Sequence, residues 1–276
     1  MKFIRYTLVF LLAMGILGLI DAQQTPPRKK RVLAIGQTKG FQHDSVSTGL
    51  ATMWKMGRDS GLWDTYIKTD CQLITKKKLQ NNAKNLDYFD AVYFFTTGEL
   101  DMDDSQKADL LSFVRDDGKG FIGGHTAIDT FYKWPEYGEM VGAYFDNHPW
   151  GTFEAPVVVE DRTSSITRHL PARFTIYDEI YQPSSLFDRN KLHVLARLDE
   201  TKLDLQHKGV KRTDGDFAVA WVKKYGKGRV FYTTFGHVEA VYDRPDMQKL
   251  YAEATKWALG LTETDTTPKP KQNPAD

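Results

Sequence analysis

The stretch of sequence from residue 91 to residue 125 reads AVYFFTTGELDMDDSQKADLLSFVRDDGKGFIGGH. It opens with an uncharged apolar run, Ala91–Phe95, which is typical of a buried strand. Apolar residues at helical spacing over Asp101–Asp116 predict an amphipathic helix. A second short apolar segment, Phe121–Ile122, then runs directly into Gly123-Gly124-His125. A strand, a helix and a strand in this order predict two parallel strands joined by a helical crossover.

The same alternation begins earlier in the chain. Arg31–Gly36 is an apolar run that ends in glycine and predicts the first strand. Ser45–Asp59 carries apolar residues at helical spacing, with Asp44 or Ser45 as the expected N-cap. Trp63–Lys68 predicts another strand. Strands that are apolar on both faces are typical of a parallel sheet with helices on both sides.

The middle of the chain has a different pattern, because strand-like segments follow one another with few helices between them. We therefore expect an antiparallel extension of the sheet within a single domain over residues 31–262. The chain returns to the parallel part at Arg229–Thr234 and closes with a helix over Met247–Leu259. The segments of the extension are Gly151–Glu160, Phe174–Gln182, Lys191–Leu198 and Phe217–Lys224.

The composition excludes several classes of protein. The chain is 41% hydrophobic and 26% charged, which is ordinary for a globular domain and excludes a polytopic membrane protein. The formal net charge is +1, so no electrostatic argument favours a nucleic-acid partner. The single cysteine, Cys71, excludes an internal disulfide and a cysteine-rich metal site. We expect no nucleotide cofactor.

Both ends of the chain look different from the domain. Lys2 and Arg5 precede an apolar run over residues 6–20, and a polar, proline-rich segment follows Ala22. This pattern predicts a signal peptide over residues 1–22 and a linker over 23–30, and therefore a periplasmic or secreted protein without a stable membrane anchor after processing. The alternative is an uncleaved anchor, for which the run is short. Residues 263–276 predict a disordered tail.

Three of the seven histidines follow separate predicted strands at the point where each strand ends. His43 follows the first strand, His125 follows Phe121–Ile122, and His237 follows Arg229–Thr234. Ligands of an open parallel sheet bind at the carboxyl ends of its strands, so we expect the three side chains to line one cleft. The alternative is that each histidine is a helix cap or a buried structural residue.

The residue types at this edge suggest acid/base or metal chemistry. We predict His125 as a catalytic acid or base, with Asp129 as its orienting carboxylate if a helix begins there. Alternatively, Asp129 is only an acid that favours the helix dipole. His43 and His237 are expected to be further acid/base groups, and Glu179 is expected to be a supporting carboxylate. The three histidines are also candidate ligands of a divalent metal such as zinc.

Seven aromatic residues lie between positions 131 and 150, around Asp146-Asn147-His148-Pro149. Aromatic rings match the apolar faces of a pyranose, and neighbouring polar groups can bond to its hydroxyls. We therefore predict a sugar-binding wall, although a packed corner of the core would show the same composition. The predicted substrate contacts are Trp134, Trp150, His148, Asn147, Glu99 and Tyr181.

Several of these motifs together resemble the ThuA-like family, which is named for trehalose utilisation. They are GFQHDS (40–45), GGHTAID (123–129), DNHPWG (146–151), YDEIY (177–181) and YGKGRVFYTTFGH (225–237). The resemblance covers roughly residues 31–262. It implies a flavodoxin-like, doubly wound and mostly parallel sheet with helices on both faces, like that of class I glutamine amidotransferases. In that superfamily a nucleophilic cysteine occupies the place of His125, so thiolate chemistry is not expected here.

The resemblance also implies a role in the metabolism of disaccharides, including their 3-keto derivatives. We expect an exported enzyme of hydrolase or lyase type that acts on a small oxidised glycoside. A keto group acidifies the neighbouring C–H bond, so that a histidine can remove the proton near neutral pH. The alternative is a non-catalytic carbohydrate-binding domain of the same fold. A serine-dependent hydrolase is less favoured, because the sequence has no serine at the strand-to-helix turn.

Overall fold

The computed structural model describes residues 28–81 and 84–272. The signal peptide predicted over residues 1–22 lies outside these ranges, as does most of the linker predicted over 23–30. Within the described ranges, no helix is both long enough and apolar enough to cross a membrane.

The described chain forms one large sheet, one short ribbon and helices on both sides of the sheet. Nine strands form the sheet in the order β2-β1-β3-β4-β11-β10-β9-β6-β7, and β5 pairs with β8 in the ribbon. The strands are β1 (Lys30–Ile35), β2 (Trp63–Lys68), β3 (Ala91–Phe94), β4 (Gly120–Gly124), β5 (Phe145–Asn147), β6 (Thr152–Val159), β7 (Arg173–Glu179), β8 (Gln182–Pro183), β9 (His193–Leu198), β10 (Ala218–Tyr225) and β11 (Gly228–Thr233). The α-helices are α1 (Ser45–Ser60), α2 (Asp104–Arg115), α3 (Pro135–Val141) and α4 (Pro245–Ala258).

The sheet is parallel in one half and antiparallel in the other. Strands β2, β1, β3, β4 and β11 pair in parallel. Strands β10, β9, β6 and β7 continue the sheet beyond β11 in antiparallel pairs. The parallel half has the order of a flavodoxin-like fold, in which a ligand binds where the strand order reverses. The predicted fold class, with its antiparallel extension, is confirmed.

Two hydrophobic cores hold the helices against the sheet. Successive strand residues point to opposite faces, so Val32 belongs to one core and Leu33 to the other. Leu50 of α1 and Leu250 of α4 pack in the first core. Phe113 of α2 and the residues of α3 pack in the second core. This doubly covered sheet leaves the carboxyl ends of the parallel strands open to ligands.

The aromatic segment around residues 131–150 is more regular than the sequence indicated. It contains α3 and β5, which the pattern of aromatic residues did not reveal. Helix α3 begins with Pro135 and ends at Gly142, whose φ of 106° favours glycine. Phe131, Trp134 and Tyr137 of this segment are buried in the second core.

Residues 263–272 of the tail, for which the composition predicts disorder, form specific hydrogen bonds with the domain. The Glu263 carboxylate accepts a hydrogen bond from Arg229 at 2.6 Å. Thr264 and Ser164 share a hydrogen bond at 2.6 Å between their hydroxyl oxygens. The Thr267 carbonyl accepts a hydrogen bond from Nδ1 of His193, also at 2.6 Å. The composition is that of a linker, but these specific partners hold the tail against the domain.

Truncation of the chain after Thr262 tests whether the tail contributes to the stability of the fold. We expect the free energy of unfolding to fall by about 2–4 kcal/mol, because each lost hydrogen bond contributes about 1 kcal/mol net. Urea denaturation of the full-length and truncated proteins measures the difference. Equal stability of the two proteins would show that the tail contributes nothing to the fold.

Candidate metal centre

Three histidine side chains converge at the carboxyl edge of the parallel strands, as the sequence predicted. The centroid of the His43 ring lies 5.0 Å from that of His125 and 5.0 Å from that of His237. The rings of His125 and His237 are 5.3 Å apart. Each histidine follows a different strand, so the topology of the sheet brings together residues that are distant in sequence.

Glu179, at the end of β7, completes the cluster. Its Oε1 lies 3.3 Å from Nδ1 of His237 and 3.9 Å from Nε2 of His125. One donor atom from each of His43, His125, Glu179 and His237 lies within 4.8 Å of the others. The cluster therefore combines three imidazoles and one carboxylate, a donor set that suits zinc and related divalent ions.

The turn after β4 fixes the His125 side chain. His125 has a φ of 34°, which is rare for a residue with a side chain and resembles the strained strand-to-helix turn that exposes a nucleophile in other folds. A side chain at Gly124 would approach the hydroxyl oxygen of Tyr93 to 2.7 Å, so the close packing at this turn requires glycine. The turn directs the imidazole into the cluster.

The hydrogen bond of His125 determines which of its nitrogens can act. Nδ1 donates to the Thr234 carbonyl at 2.6 Å, which leaves Nε2 facing the cluster. Burial lowers the pKa of His125 well below its usual value, and nearby His43 lowers it further. The ring is therefore neutral near pH 7, the form in which an imidazole binds a metal.

His43 has the same neutral character. Burial lowers its pKa to about 4, and His237 contributes to the shift. Its Nε2 lies 3.4 Å from the Tyr181 hydroxyl oxygen. Its Nδ1 is buried and has no hydrogen-bond partner within the described residues. A buried nitrogen without a partner is costly, and a metal ligand role would remove that cost.

The loop that carries His237 is held from two sides. The Asp178 carboxylate accepts hydrogen bonds from the backbone N–H groups of Gly236 and Val238 at 2.7 and 3.0 Å. The Ser45 hydroxyl donates to the Gly236 carbonyl at 2.8 Å. A hydrogen bond to Glu179 raises the pKa of His237 above its usual value. Asp44 or Ser45 was expected to cap α1, and Asp44 occupies the N-cap position without a side-chain hydrogen bond to the helix. No sequence pattern indicated that Asp178 positions this loop.

Three residues of the cluster, His43, Glu179 and His237, line a cavity of about 340 Å³. His125 was predicted to line the same cleft, but its side chain is fully buried and does not line the cavity. This volume lies within the range of small-molecule binding sites. His148 and Tyr181, both predicted substrate contacts, line the cavity. Phe145, one of the seven aromatic residues of the predicted sugar-binding wall, lines it as well. Phe41 also lines it and was not predicted as a ligand contact. The complete lining is Phe41, His43, Asp129, Phe145, His148, Glu179, Tyr181 and His237.

Asp129 does not orient His125, contrary to the prediction. The residues from His125 to Ile128 form a short 3₁₀ turn and not the expected α-helix, so a spacing of four does not bring the two side chains together. The Thr234 carbonyl orients His125 instead. The Asp129 carboxylate accepts a hydrogen bond from the Tyr132 hydroxyl at 2.6 Å and faces the cavity.

The two tryptophans predicted to bind sugar do not line the cavity. Trp134 is 7% exposed and packs against Phe131 and Tyr137 in the core beneath α3. Trp150 packs against Phe217, and its indole N–H donates to the Asp204 carbonyl at 3.2 Å. Both side chains are therefore satisfied by protein contacts. The alternative of a packed corner of the core describes them correctly.

Two predicted polar contacts also lie outside the cavity lining. The Asn147 side chain donates to the Gly209 carbonyl at 2.9 Å and accepts from the His148 backbone N–H at 3.0 Å. The Glu99 carboxylate accepts from the backbone N–H of Lys133 at 3.1 Å. Both side chains hold neighbouring loops through hydrogen bonds, so these contacts account for their positions without a ligand.

Cys71 lies outside the cavity and is buried. Its Sγ lies 3.4 Å from Oε1 of Gln37, and burial raises the pKa of the thiol to about 12. We expect Cys71→Ser to change kcat/KM by less than about twofold and to lower the free energy of unfolding by about 1 kcal/mol. Steady-state kinetics and urea denaturation measure the two effects. A folded variant without activity would indicate thiolate chemistry.

A match to a family profile and the similarity to solved structures identify the relatives of this chain. The sequence profile described as ThuA, trehalose utilisation, matches residues 31–258. A ThuA-like protein from Bacteroides uniformis is 19% identical, with 86% of this chain and 94% of that chain covered and a TM-score of 0.70. A ThuA-like protein from Parabacteroides merdae is 18% identical, with 88% and 94% covered and a TM-score of 0.67.

A more distant neighbour is a β-galactosidase from Rahnella sp. R3. It is 13% identical, with 84% of this chain and 32% of that chain covered and a TM-score of 0.50. At these identities the three solved structures show the fold alone. No protein of curated function matches the sequence. The profile match over most of the chain confirms the resemblance, and the chain belongs to the ThuA family.

Proposed function

We propose that this protein is an exported, metal-dependent enzyme that acts on a small oxidised glycoside. The observation that carries the proposal is the cluster of three histidines and Glu179, three of whose members line a cavity of about 340 Å³. Membership of the ThuA family supports a role in carbohydrate metabolism. The apolar run at residues 6–20 supports export.

The donor set supports a divalent metal, with zinc as our first choice. His43, His125, His237 and Glu179 would hold it, and a bound ion would polarise a carbonyl oxygen of the substrate. The neutral state of His43 and His125 means that neither imidazole has to lose a proton before binding. Glu179 supplies the negative charge of the site.

Besides Tyr181, two ionisable side chains of the cavity lie outside the four-residue cluster. His148 is half-exposed, and its Nδ1 lies 3.5 Å from Oε2 of Glu179. We assign it the role of the base that removes the proton next to the keto group, because its imidazole lines the cavity and is not one of the four proposed metal ligands. The second group is Asp129. The chain therefore offers both a metal site and groups that can move protons.

Aromatic side chains at the cavity support a sugar ligand. Phe41 is 67% exposed, and its ring contacts the His43 ring edge-on with centroids 4.7 Å apart. Phe145 packs on Tyr181 at a centroid distance of 4.3 Å. A pyranose can place its apolar face against such rings while its hydroxyls and keto oxygen face the polar base of the cavity.

We expect Phe41→Ala to raise KM for a keto-glycoside roughly tenfold with little change in kcat. A stacking contact contributes about 1.5 kcal/mol, and 1.4 kcal/mol corresponds to a factor of ten. Tyr177→Ala is the matched control, because Tyr177 is 54% exposed and does not line the cavity. Initial-rate kinetics measure both variants. Equal KM values for Phe41→Ala and the unmodified protein would remove Phe41 from the binding site.

The proposed function is tested with the purified protein and added Zn²⁺ or Mn²⁺. We expect it to convert 3-keto-trehalose or a related 3-keto-glycoside, with product release followed by mass spectrometry, and to lose this activity with a chelator. The unoxidised disaccharide should not react, because it lacks the acidified C–H bond. Binding of the sugars without turnover at any metal concentration would contradict catalysis and favour a carbohydrate-binding domain.

A further inference from the structure

The Asp129 side chain lines the cavity, and only one of its two carboxylate oxygens has a hydrogen-bond partner among the described residues. Oδ1 accepts the hydrogen bond from Tyr132 at 2.6 Å. Among the described residues, no hydrogen bond to Oδ2 is present, and the residue is partly exposed at the cavity. The backbone holds this segment separately, because the Asp129 carbonyl accepts from the Gly98 N–H and the Asp129 N–H donates to the Thr126 carbonyl. The free oxygen is therefore available to a ligand.

The surroundings of Asp129 favour a carboxyl group that keeps its proton. Burial raises its pKa above the usual value, and the negative charge of Glu179 acts in the same direction. His148 and the hydrogen bond from Tyr132 act in the opposite direction. Asp129 is outside the four-residue cluster, so it remains free to act on a substrate while that cluster holds a metal.

We propose that Asp129 is the general acid that protonates the leaving group of the glycoside, with Tyr132 as its positioning residue. This inference rests on the proposed function, and it assigns the group that lets an unactivated sugar alcohol depart. His148 and Asp129 line the same cavity, so one can accept a proton while the other donates one to a different atom of the substrate.

The step balances without an oxidant or a reductant. His148 takes the proton from the carbon between the keto carbon and the anomeric carbon. The electron pair of that C–H bond becomes a C=C bond, and the bond from the anomeric carbon to the leaving oxygen breaks. The leaving oxygen takes the proton of Asp129 and departs as an alcohol, which leaves an unsaturated keto-sugar to which water can add.

A purely structural role for Asp129 makes a different prediction from general acid catalysis. A sugar alcohol needs a proton in order to leave, whereas para-nitrophenolate leaves readily without one. Loss of a general acid should therefore slow the cleavage of a 3-keto-disaccharide much more than the cleavage of a para-nitrophenyl 3-keto-glycoside. Loss of a structural contact should slow both substrates to the same extent.

The experiment compares Asp129→Asn with the unmodified holoenzyme on these two substrates. We expect kcat for the disaccharide to fall roughly 10²–10⁴-fold and kcat for the nitrophenyl glycoside to fall less than about tenfold, with unchanged zinc content. Tyr132→Phe, which removes the hydrogen bond to Oδ1, should show the same pattern to a smaller degree. If Asp129→Asn does not fold, Tyr132→Phe carries the comparison of the two substrates.

Two results would overturn the proposal for Asp129. An equal fall in kcat on the two substrates would show that the residue has a structural role. An unchanged kcat on both substrates would show that it takes no part in the reaction. Failure of the proposed function looks different, because the unmodified holoenzyme would then convert neither substrate. That result would reject the keto-glycoside reaction together with the role of Asp129 in it.

Discussion

His125→Ala is expected to abolish metal binding while the protein stays folded. Loss of a group that only orients a metal ligand costs roughly 10- to 100-fold in affinity, so loss of a ligand should cost at least about 100-fold. We expect the same loss in kcat/KM. Titration with Zn²⁺ measures the affinity, and circular dichroism measures the fold. The matched control is His207→Ala, because His207 is exposed and lies outside the cluster.

The alternative explanation of His125 gives a different result. If the residue only fills the core, its replacement should lower the free energy of unfolding by a few kcal/mol and leave zinc affinity unchanged. Zinc affinity equal to that of His207→Ala would therefore remove His125 from the ligand set. The geometry of the site argues against this result, since Nδ1 of His125 is occupied by Thr234 and Nε2 faces the cluster.

The second large effect is expected at Glu160, far from the site. Glu160 receives two hydrogen bonds from Arg189, at 2.8 and 3.1 Å, and forms an ion pair with Arg197 at 2.9 Å. Its side chain is 2% exposed. The backbone N–H of Gln272 in the tail also donates to it, at 3.1 Å. Glu160 therefore balances two buried cations and anchors the tail.

Glu160→Ala should lower the free energy of unfolding by about 2–3 kcal/mol, because the two arginines lose the buried carboxylate that they share, while Asp216 still pairs with Arg189 and Glu200 with Arg197. The control is Glu154→Ala on the exposed part of β6, which should change stability by less than about 0.5 kcal/mol. Urea denaturation measures both. A small effect of Glu160→Ala would mean that water or a neighbouring carboxylate replaces Glu160 after the substitution.

The sheet and the convergence of the histidines could be predicted from the sequence for the same physical reason. Parallel strands buried on both faces are apolar throughout, so their ends are easy to locate, and topology then places the residues that follow them. His43, His125 and His237 follow such strands. The order of the strands alone predicts that these three histidines meet at one edge of the sheet, without information about individual contacts.

The rest of the site depends on contacts that a linear pattern does not contain. The predicted pairing of Asp129 with His125 assumed an α-helix, and a 3₁₀ turn replaces it. Trp134 and Phe41 are both aromatic residues near turns, so the sequence does not distinguish a core residue from a ligand contact. In the structure Trp134 is 7% exposed and Phe41 is 67% exposed. Asp178 holds the His237 loop through backbone N–H groups, which carry no signature in the sequence.

The central claim is that His43, His125, Glu179 and His237 bind one divalent metal ion. Crystals grown with Zn²⁺, with anomalous diffraction recorded on both sides of the zinc absorption edge, test it most directly. We expect a single strong zinc peak within about 2.0–2.3 Å of one donor atom from each of the four residues. A well-ordered crystal with no zinc peak between these side chains would show that they do not form a zinc site.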